Sequence, residues 1–196
     1  MAEQVQSLLE RMVPPLLDLR ERNIFSADEV RSIVDRRRES EYLLHRRAGA
    51  RMSDHLRYIE DEIALERLRK LRKERVLTEL REERRRRREE DDETSADGDG
   101  GGTRSASYRT SGPGDSHIVA NVHFVYQRAL KRFHYPLELV LNYAEFAKRH
   151  GSTNMLGRIY AEGLQRHPRS DGLWIEAASF EYFGNSADDG ADGGKA

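Results

Sequence analysis

Seven histidines are the first place to look for chemistry in this 196-residue chain, because imidazole both binds metals and moves protons near neutral pH. They are dispersed. His117 and His123, and His150 and His167, match neither His-x-x-x-His nor His-Glu-x-x-His, the spacings that put two ligands on one helical face. Cysteine is missing, which excludes disulfides and cysteine zinc sites. Carboxylates stand side by side at Asp61-Glu62 and Asp188-Asp189. The first pair is expected on a helix surface and the second in a polar tail, with no apolar pocket to raise a pKa for acid–base work. Gly98, Gly100, Gly101 and Gly102 follow no strand and carry no Gly-Lys-Ser/Thr, so they do not read as a phosphate cradle. The expected catalytic, metal and cofactor sets are empty, and no small-molecule substrate is expected.

What remains is charge. Residues 1–90 carry 23 Lys and Arg against 20 Asp and Glu, residues 91–116 carry 2 against 6, and residues 117–196 carry 9 of each. The net of −1 is therefore no uniform basic field, and any attraction to RNA must come from local patches. Arg36, Arg37, Arg38, Arg46 and Arg47 form one candidate RNA contact; their plainer role is an exposed face with packed stems. Arg84–Arg88 is another basic run, or a nuclear signal, but Glu82-Glu83 and Glu89-Glu90 flank it and weaken its field.

These groups must be positioned by helices. Val5, Leu8, Leu9, Met12 and Leu16 repeat at helical spacing, with a break expected near residues 13–14 because Pro14 and Pro15 follow. Ser26 and Glu29 form a capping box for a helix running to about Arg47, with Val30, Ile33, Val34 and Leu44 inward and Gly49 ending it. A long helix follows over about 54–90, with Met52, Leu56, Ile59 and Ile63 as its stripe. From Thr94 to Ser116, Gly, Ser, Asp and Pro dominate, too little apolar surface to offset the entropy of ordering. Compact helices are expected at 117–133, 136–149, 153–166 and 171–183, then a polar tail. No run of 18 apolar residues exists, and the N-terminus lacks the basic start and apolar core of a secretory signal, so an intracellular protein with no membrane partner is expected.

The C-terminal part repeats. At an offset of 34 residues, Val125 falls on Ile159, Tyr126 on Tyr160, Ala129 on Gly163 and Leu130 on Leu164; in the next helix Val140 falls on Trp174, Leu141 on Ile175, Ala144 on Ala178 and Phe146 on Phe180. That period belongs to stacked helical hairpins, each of which buries its apolar face only against a neighbour. The expected repeat core is Tyr58, Tyr126, Ala129, Leu130, Tyr143, Phe146, Tyr160, Gly163, Leu164 and Trp174. The small residues allow close helix approach and the aromatic ones supply contact area. The aromatic stripe at 124, 126, 143, 146 and 160 is read as core rather than as a base-stacking platform.

The second helices, HFVYQRAL at 123–130 and GRIYAEGL at 157–164, and the first helices, LVLNYAEFAK at 139–148 and LWIEAASFEY at 173–182, resemble the HAT (half-a-TPR) repeat; HLRYIEDE at 55–62 resembles a divergent copy. Val140 and His55 stand where that pattern has Trp, Ala147 where it has Glu and Ala177 where it has Tyr. LLDLRERNIFSADEVRSIVDRRRESEYLLHRR at 16–47 with HLRYIEDEIALERLRKLRK at 55–73 resembles the start of the U-three small nucleolar RNA-associated protein 6 family, the HAT-repeat subunit of the small-subunit processome. Members of that family are longer, so the chain is expected to correspond to an N-terminal or truncated form.

The fold class expected is all-α: a helical-hairpin solenoid with an N-terminal helical region at 1–50, the extended first helix of repeat 1 at 51–93, a disordered insertion at 94–116 and the second helix of repeat 1 at 117–134. Repeat 2 follows at 135–168, an incomplete repeat 3 at 169–183 and a disordered tail at 184–196. The resemblance implies a non-catalytic scaffold in nucleolar processing of the small-subunit ribosomal RNA precursor. Its partners would be WD-repeat proteins of the processome, with the U-three snoRNA and pre-rRNA reached indirectly, and Val5, Leu8, Leu9, Met12 and Leu16 would anchor in a partner groove. The alternatives are a HAT scaffold of splicing or messenger-RNA cleavage, or a direct RNA-binding module.

Overall fold

The computed structural model describes residues 2–46, 49–94 and 109–184. Arg47, most of the expected insertion (95–108) and the tail at 185–196 lie outside the described residues. The described chain is all-α, with seven helices: α1 (Ala2–Glu21), α2 (Ala27–Leu44), α3 (Met52–Thr94), α4 (Gly114–Arg132), α5 (Leu137–Arg149), α6 (Thr153–Arg166) and α7 (Asp171–Gly184). It divides into two compact units, residues 1–122 and 123–196, with the dividing line inside α4.

In the first unit α1 is continuous through Pro14-Pro15, against the expected break. The two prolines remove the N–H groups that would bond the carbonyls of Glu10 and Arg11. Glu10, Arg11 and Pro14 are exposed, so water can replace those bonds. Meanwhile Met12, Leu16 and Leu19 bury one face on both sides of the pair and hold the helix together. Asn23, at φ 57°, closes α1: the Ile24 N–H donates to the Leu19 carbonyl at 2.9 Å, the left-handed end that Asn adopts at small cost. Ser26 and Glu29 then cap α2 reciprocally. Helix α2 ends at Leu44, short of the expected Arg47, and Leu44 is half-buried. Leu16, Leu19, Ile24, Phe25, Val30, Ile33 and Ile118 form the apolar core between α1, α2 and the start of α4.

Helix α4 begins at Gly114, so the last residues of the expected insertion are structured. A Cβ at Gly114 would lie 2.5 Å from Leu19 Cγ and 2.6 Å from the Pro15 carbonyl oxygen, so only glycine lets α4 start this close to α1.

In the second unit helix ends recur at the period read from the sequence: α4 ends at 132 and α6 at 166, α5 starts at 137 and α7 at 171. Tyr126 stacks on Tyr143 with centroids 4.6 Å apart, and Phe146 packs beside both Tyr126 and His123. Ala129, Ala144 and Ala147 are fully buried. A Cβ at Gly163 would come within 2.9 Å of Val140 Cγ1 and 3.2 Å of Leu173, which explains a glycine at the crossing of α6 with α5 and α7. Leu164 is half-buried. Trp174 departs from the expected core: it is 51% exposed, and its indole N–H donates to the Pro168 carbonyl at 3.0 Å. Leu173 and Ala177 form the inward face of α7 instead.

Candidate functional site

The second unit presents an open groove of about 810 Å³. Its floor is Leu156 and Tyr160 of α6; Leu141 of α5 stands on one wall, and Ile175, Phe180 and Phe183 of α7 on the other. The 34-residue repeat places these walls, because Leu141 and Ile175 are equivalent positions on equivalent helices. Ile175 is 66% and Phe183 71% exposed, and Tyr182 beside them is 75% exposed. Apolar side chains this open on one short helix form an uncovered apolar face. Glu145, Lys148, Arg149 and Glu176 line the same groove with both signs of charge. Tyr160 is positioned by Phe180, at 5.8 Å between ring centroids, and by its hydroxyl, which donates to Glu176 at 3.3 Å. Burial and the Glu176 carboxylate push that hydroxyl up to about 12, so it remains a neutral donor. The groove can hold an apolar anchor with polar flanks.

Beside it lies a chain of groups with the outline of a nucleophile and base. Ser152 Oγ is 3.1 Å from His123 Nε2, and His123 Nδ1 is 3.1 Å from the Tyr143 hydroxyl. Its role is structural. The imidazole sits edge-on to Tyr143 and Phe146, and burial, with His150 nearby, lowers its pKa to about 4. The neutral ring ties α4 and α5 to the residue preceding α6. Among the described residues no group of three or more His, Cys, Asp or Glu side chains is placed to hold a metal, and no helix is long and apolar enough to cross a membrane.

The expected partner-binding stripe on α1 is not a surface. Val5, Leu9, Met12 and Leu16 are 0–4% exposed and Leu8 is packed against them, so these residues are the core that holds α1 in place. The expected RNA-contacting arginines divide. Arg36, Arg38 and Arg46 are exposed, whereas Arg37 is 1% exposed and is removed from that set. Its guanidinium makes a two-point bond to Glu62, Nε to Oε1 and Nη2 to Oε2, both 2.7 Å, and lies 3.2 Å from His117 Nε2. Burial works against its charge, but Glu62 more than offsets this and holds the Arg37 pKa above its ordinary value. Burial and Arg37 together lower His117 to about 4. Glu62, expected on a helix surface, is buried as half of this pair.

The sequence reading also missed a second buried network. Asp115, at the start of α4, accepts from Arg22 at 2.9 Å, Arg69 at 2.7 Å and Lys73 at 3.0 Å. Asp18 accepts from Arg22 at 2.7 Å, from the Gly114 N–H at 3.0 Å and from Arg109. Arg69 is held by Glu66, which is 1% exposed. The inward face of α3 is thus His55, Tyr58, Ile59, Glu62, Glu66 and Arg69. These positions keep helical spacing, and the signal was available in them once charged residues are admitted to the stripe.

Comparison with known proteins places the chain. Residues 9–100, taking in most of α1 and all of α2 and α3, match the family model described as U3 small nucleolar RNA-associated protein 6. Over 182 residues the chain is 33% identical to the U3 small nucleolar RNA-associated protein 6 of Schizosaccharomyces pombe, an alignment covering 93% of the chain and 31% of that protein. It is 26% identical over 181 residues to the U3 small nucleolar RNA-associated protein 6 homologs of Mus musculus and Homo sapiens, covering 92% of the chain and 25% of each. The chain therefore spans between a quarter and a third of the length of these relatives.

Proposed function

Because the chain belongs to the U3 small nucleolar RNA-associated protein 6 family, we propose that it is a non-catalytic scaffold of nucleolar ribosome biogenesis, supporting processing of the small-subunit ribosomal RNA precursor. The observation that carries this reading is 33% identity extending over 93% of the chain, so that both units take part in the likeness. The groove between α5, α6 and α7 gives the scaffold its physical means: open apolar side chains that a partner protein covers, with mixed charges to set its orientation. The partners are WD-repeat proteins of the small-subunit processome, and the setting is the nucleolus. The buried stripe of α1 has a different duty, holding the first unit together.

Affinity purification of the tagged chain from nuclear extract, followed by mass spectrometry and hybridisation for U3 RNA, tests the reading. Processome proteins and U3 RNA are expected, with both lost on Ile175→Asp combined with Phe183→Asp, since those side chains touch little of the chain itself. Recovery of splicing or messenger-RNA cleavage factors instead would refute it.

A further inference from the structure

The two sides of the second unit differ in charge. The part of α4 in this unit, with α6, carries five basic residues (Arg128, Lys131, Arg132, Arg158 and Arg166) and one acid, Glu162. Helices α5 and α7 carry two basic residues, Lys148 and Arg149, against Glu138, Glu145, Asp171, Glu176 and Glu181. One basic position recurs in register, Arg132 with Arg166. Phe124, Arg128 and Arg132 are spaced by four on α4, and the 34-residue offset carries them onto Arg158, Glu162 and Arg166 of α6, so both helices present the same face. A cleft of about 50 Å³ brings the two helices' groups together, lined among others by Gln127, Lys131, Tyr135 and Arg158. Lys131, Arg132, Arg158 and Arg166 are exposed, and none of them forms an ion pair with a described residue.

Flat groups are interleaved with these charges. The Arg128 guanidinium lies 5.1 Å over the ring of Phe124, which is 39% exposed, and that of Arg166 lies 5.2 Å over Tyr135. Tyr135 is held there at a cost. It and His134 both have left-handed backbone, φ 58° and 59°, a conformation that a bulky residue adopts only when its surroundings impose it. Its hydroxyl donates to Glu162 at 3.1 Å, and its carbonyl contacts His167 Nε2. The strained turn sets the Tyr135 ring beside Arg166 and at the cleft that Lys131 and Arg158 also line.

We infer that the α4–α6 face of the second unit binds single-stranded RNA directly, with Lys131 and Arg158 on phosphates at the cleft and Phe124 and Tyr135 offering their guanidinium-covered rings to bases. An acidic protein segment would satisfy the cations but would leave the aromatic–guanidinium pairs without a function; unpaired bases use both. The inference rests on the scaffold reading for its biological setting and adds a direct RNA contact on the side opposite in charge to the groove helices.

The test is fluorescence anisotropy of a labelled single-stranded RNA oligonucleotide with the full chain across a salt series. About four phosphate contacts would give a slope of log affinity on log salt near −3. Lys131→Glu with Arg158→Glu should weaken binding at least tenfold, and Lys131→Gln with Arg158→Gln should flatten the slope by about 1.4. Arg31→Glu, on the exposed face of α2 and already paired with Asp28, should leave both unchanged. Circular dichroism verifies that helix content is retained in each variant. A slope near zero, equal loss in the α2 variant, or tighter binding of a poly-glutamate peptide than of RNA would overturn the inference. In nuclear extract, U3 RNA absent from the wild-type purification while purified chain binds RNA as stated would overturn the processome reading alone. Processome recovery with no RNA binding by the purified chain would overturn this inference alone.

Discussion

Both units have apolar cores, but the first adds buried charged pairs to its core and the second adds aromatic stacking and small residues. Around Arg37–Glu62 and Asp18–Arg22–Asp115–Arg69–Glu66 the first unit buries charged groups that pair both within and between its helices. The second unit buries Tyr126 on Tyr143 and lets α6 approach through Gly163 and Ala129. Both solutions join helices, but they fail differently. An apolar contact degrades gradually with lost area, whereas half of a buried ion pair leaves an uncompensated charge. Pairing of this kind also confers register, because a helix shifted by one residue would bury an unpaired carboxylate.

The sharpest way to break this contrast is Glu62→Ala, which strands Arg37. It should destabilise the first unit by about 3–5 kcal/mol. Hydrogen exchange read by mass spectrometry should show α2 and α3 opening, with α5 and α6 protected as before. Replacing both partners, Arg37→Met with Glu62→Leu, should restore most of the loss; if it does not, the pair is more than a substitute for apolar packing.

Acidification should weaken both units in the same window. His117 and His123, one in each, have pKa values lowered to about 4 from an ordinary 6.5, so the unfolded chain takes up protons first. Their contribution is complete above pH 6.5 and declines as pH falls toward 4. Thermal unfolding at stepped pH should show Tm falling across that interval, less so in His117→Asn and His123→Asn variants.

Gly163→Ala tests the second unit's close approach. Because the added Cβ meets Val140 and Leu173, it should cost about 1–3 kcal/mol, whereas glycine to alanine on an open helix would stabilise. Denaturant midpoints decide the sign. A smaller loss, about 1 kcal/mol, is expected for Trp174→Ala, since the side chain is half exposed and contributes chiefly one hydrogen bond. A loss of about 3–5 kcal/mol would show that Trp174 is core after all. Least of all, Arg38→Ala removes an exposed pair with Asp35 and should change stability by less than about 0.5 kcal/mol, measured by the same midpoint.

Why one unit was readable and the other was not follows from the same contrast. Helix content, the Ser26–Glu29 capping box and the 34-residue period are local or periodic properties. They depend on φ/ψ preference and on residue type at fixed spacing, and a single sequence records both. The membership of Tyr126, Tyr143, Phe146, Tyr160 and Gly163 in the core followed from that period. What only the tertiary structure decided is which charged and which apolar residues face inward, in the first unit and, at Trp174, inside the repeat itself. Arg37 and Arg38 are adjacent and identical in type, yet one is buried and the other exposed, because 100° of helix rotation points the first at Glu62 and the second at solvent. Val5, Leu9 and Met12 read as a free amphipathic stripe until the fold covered them, and Trp174 read as core until Leu173 took the inward position. Asp115, Asp18 and Arg69 are separated by at least 46 residues from one another, and nothing local marks them as partners. Their pairing exists only once α1, α3 and α4 are brought together.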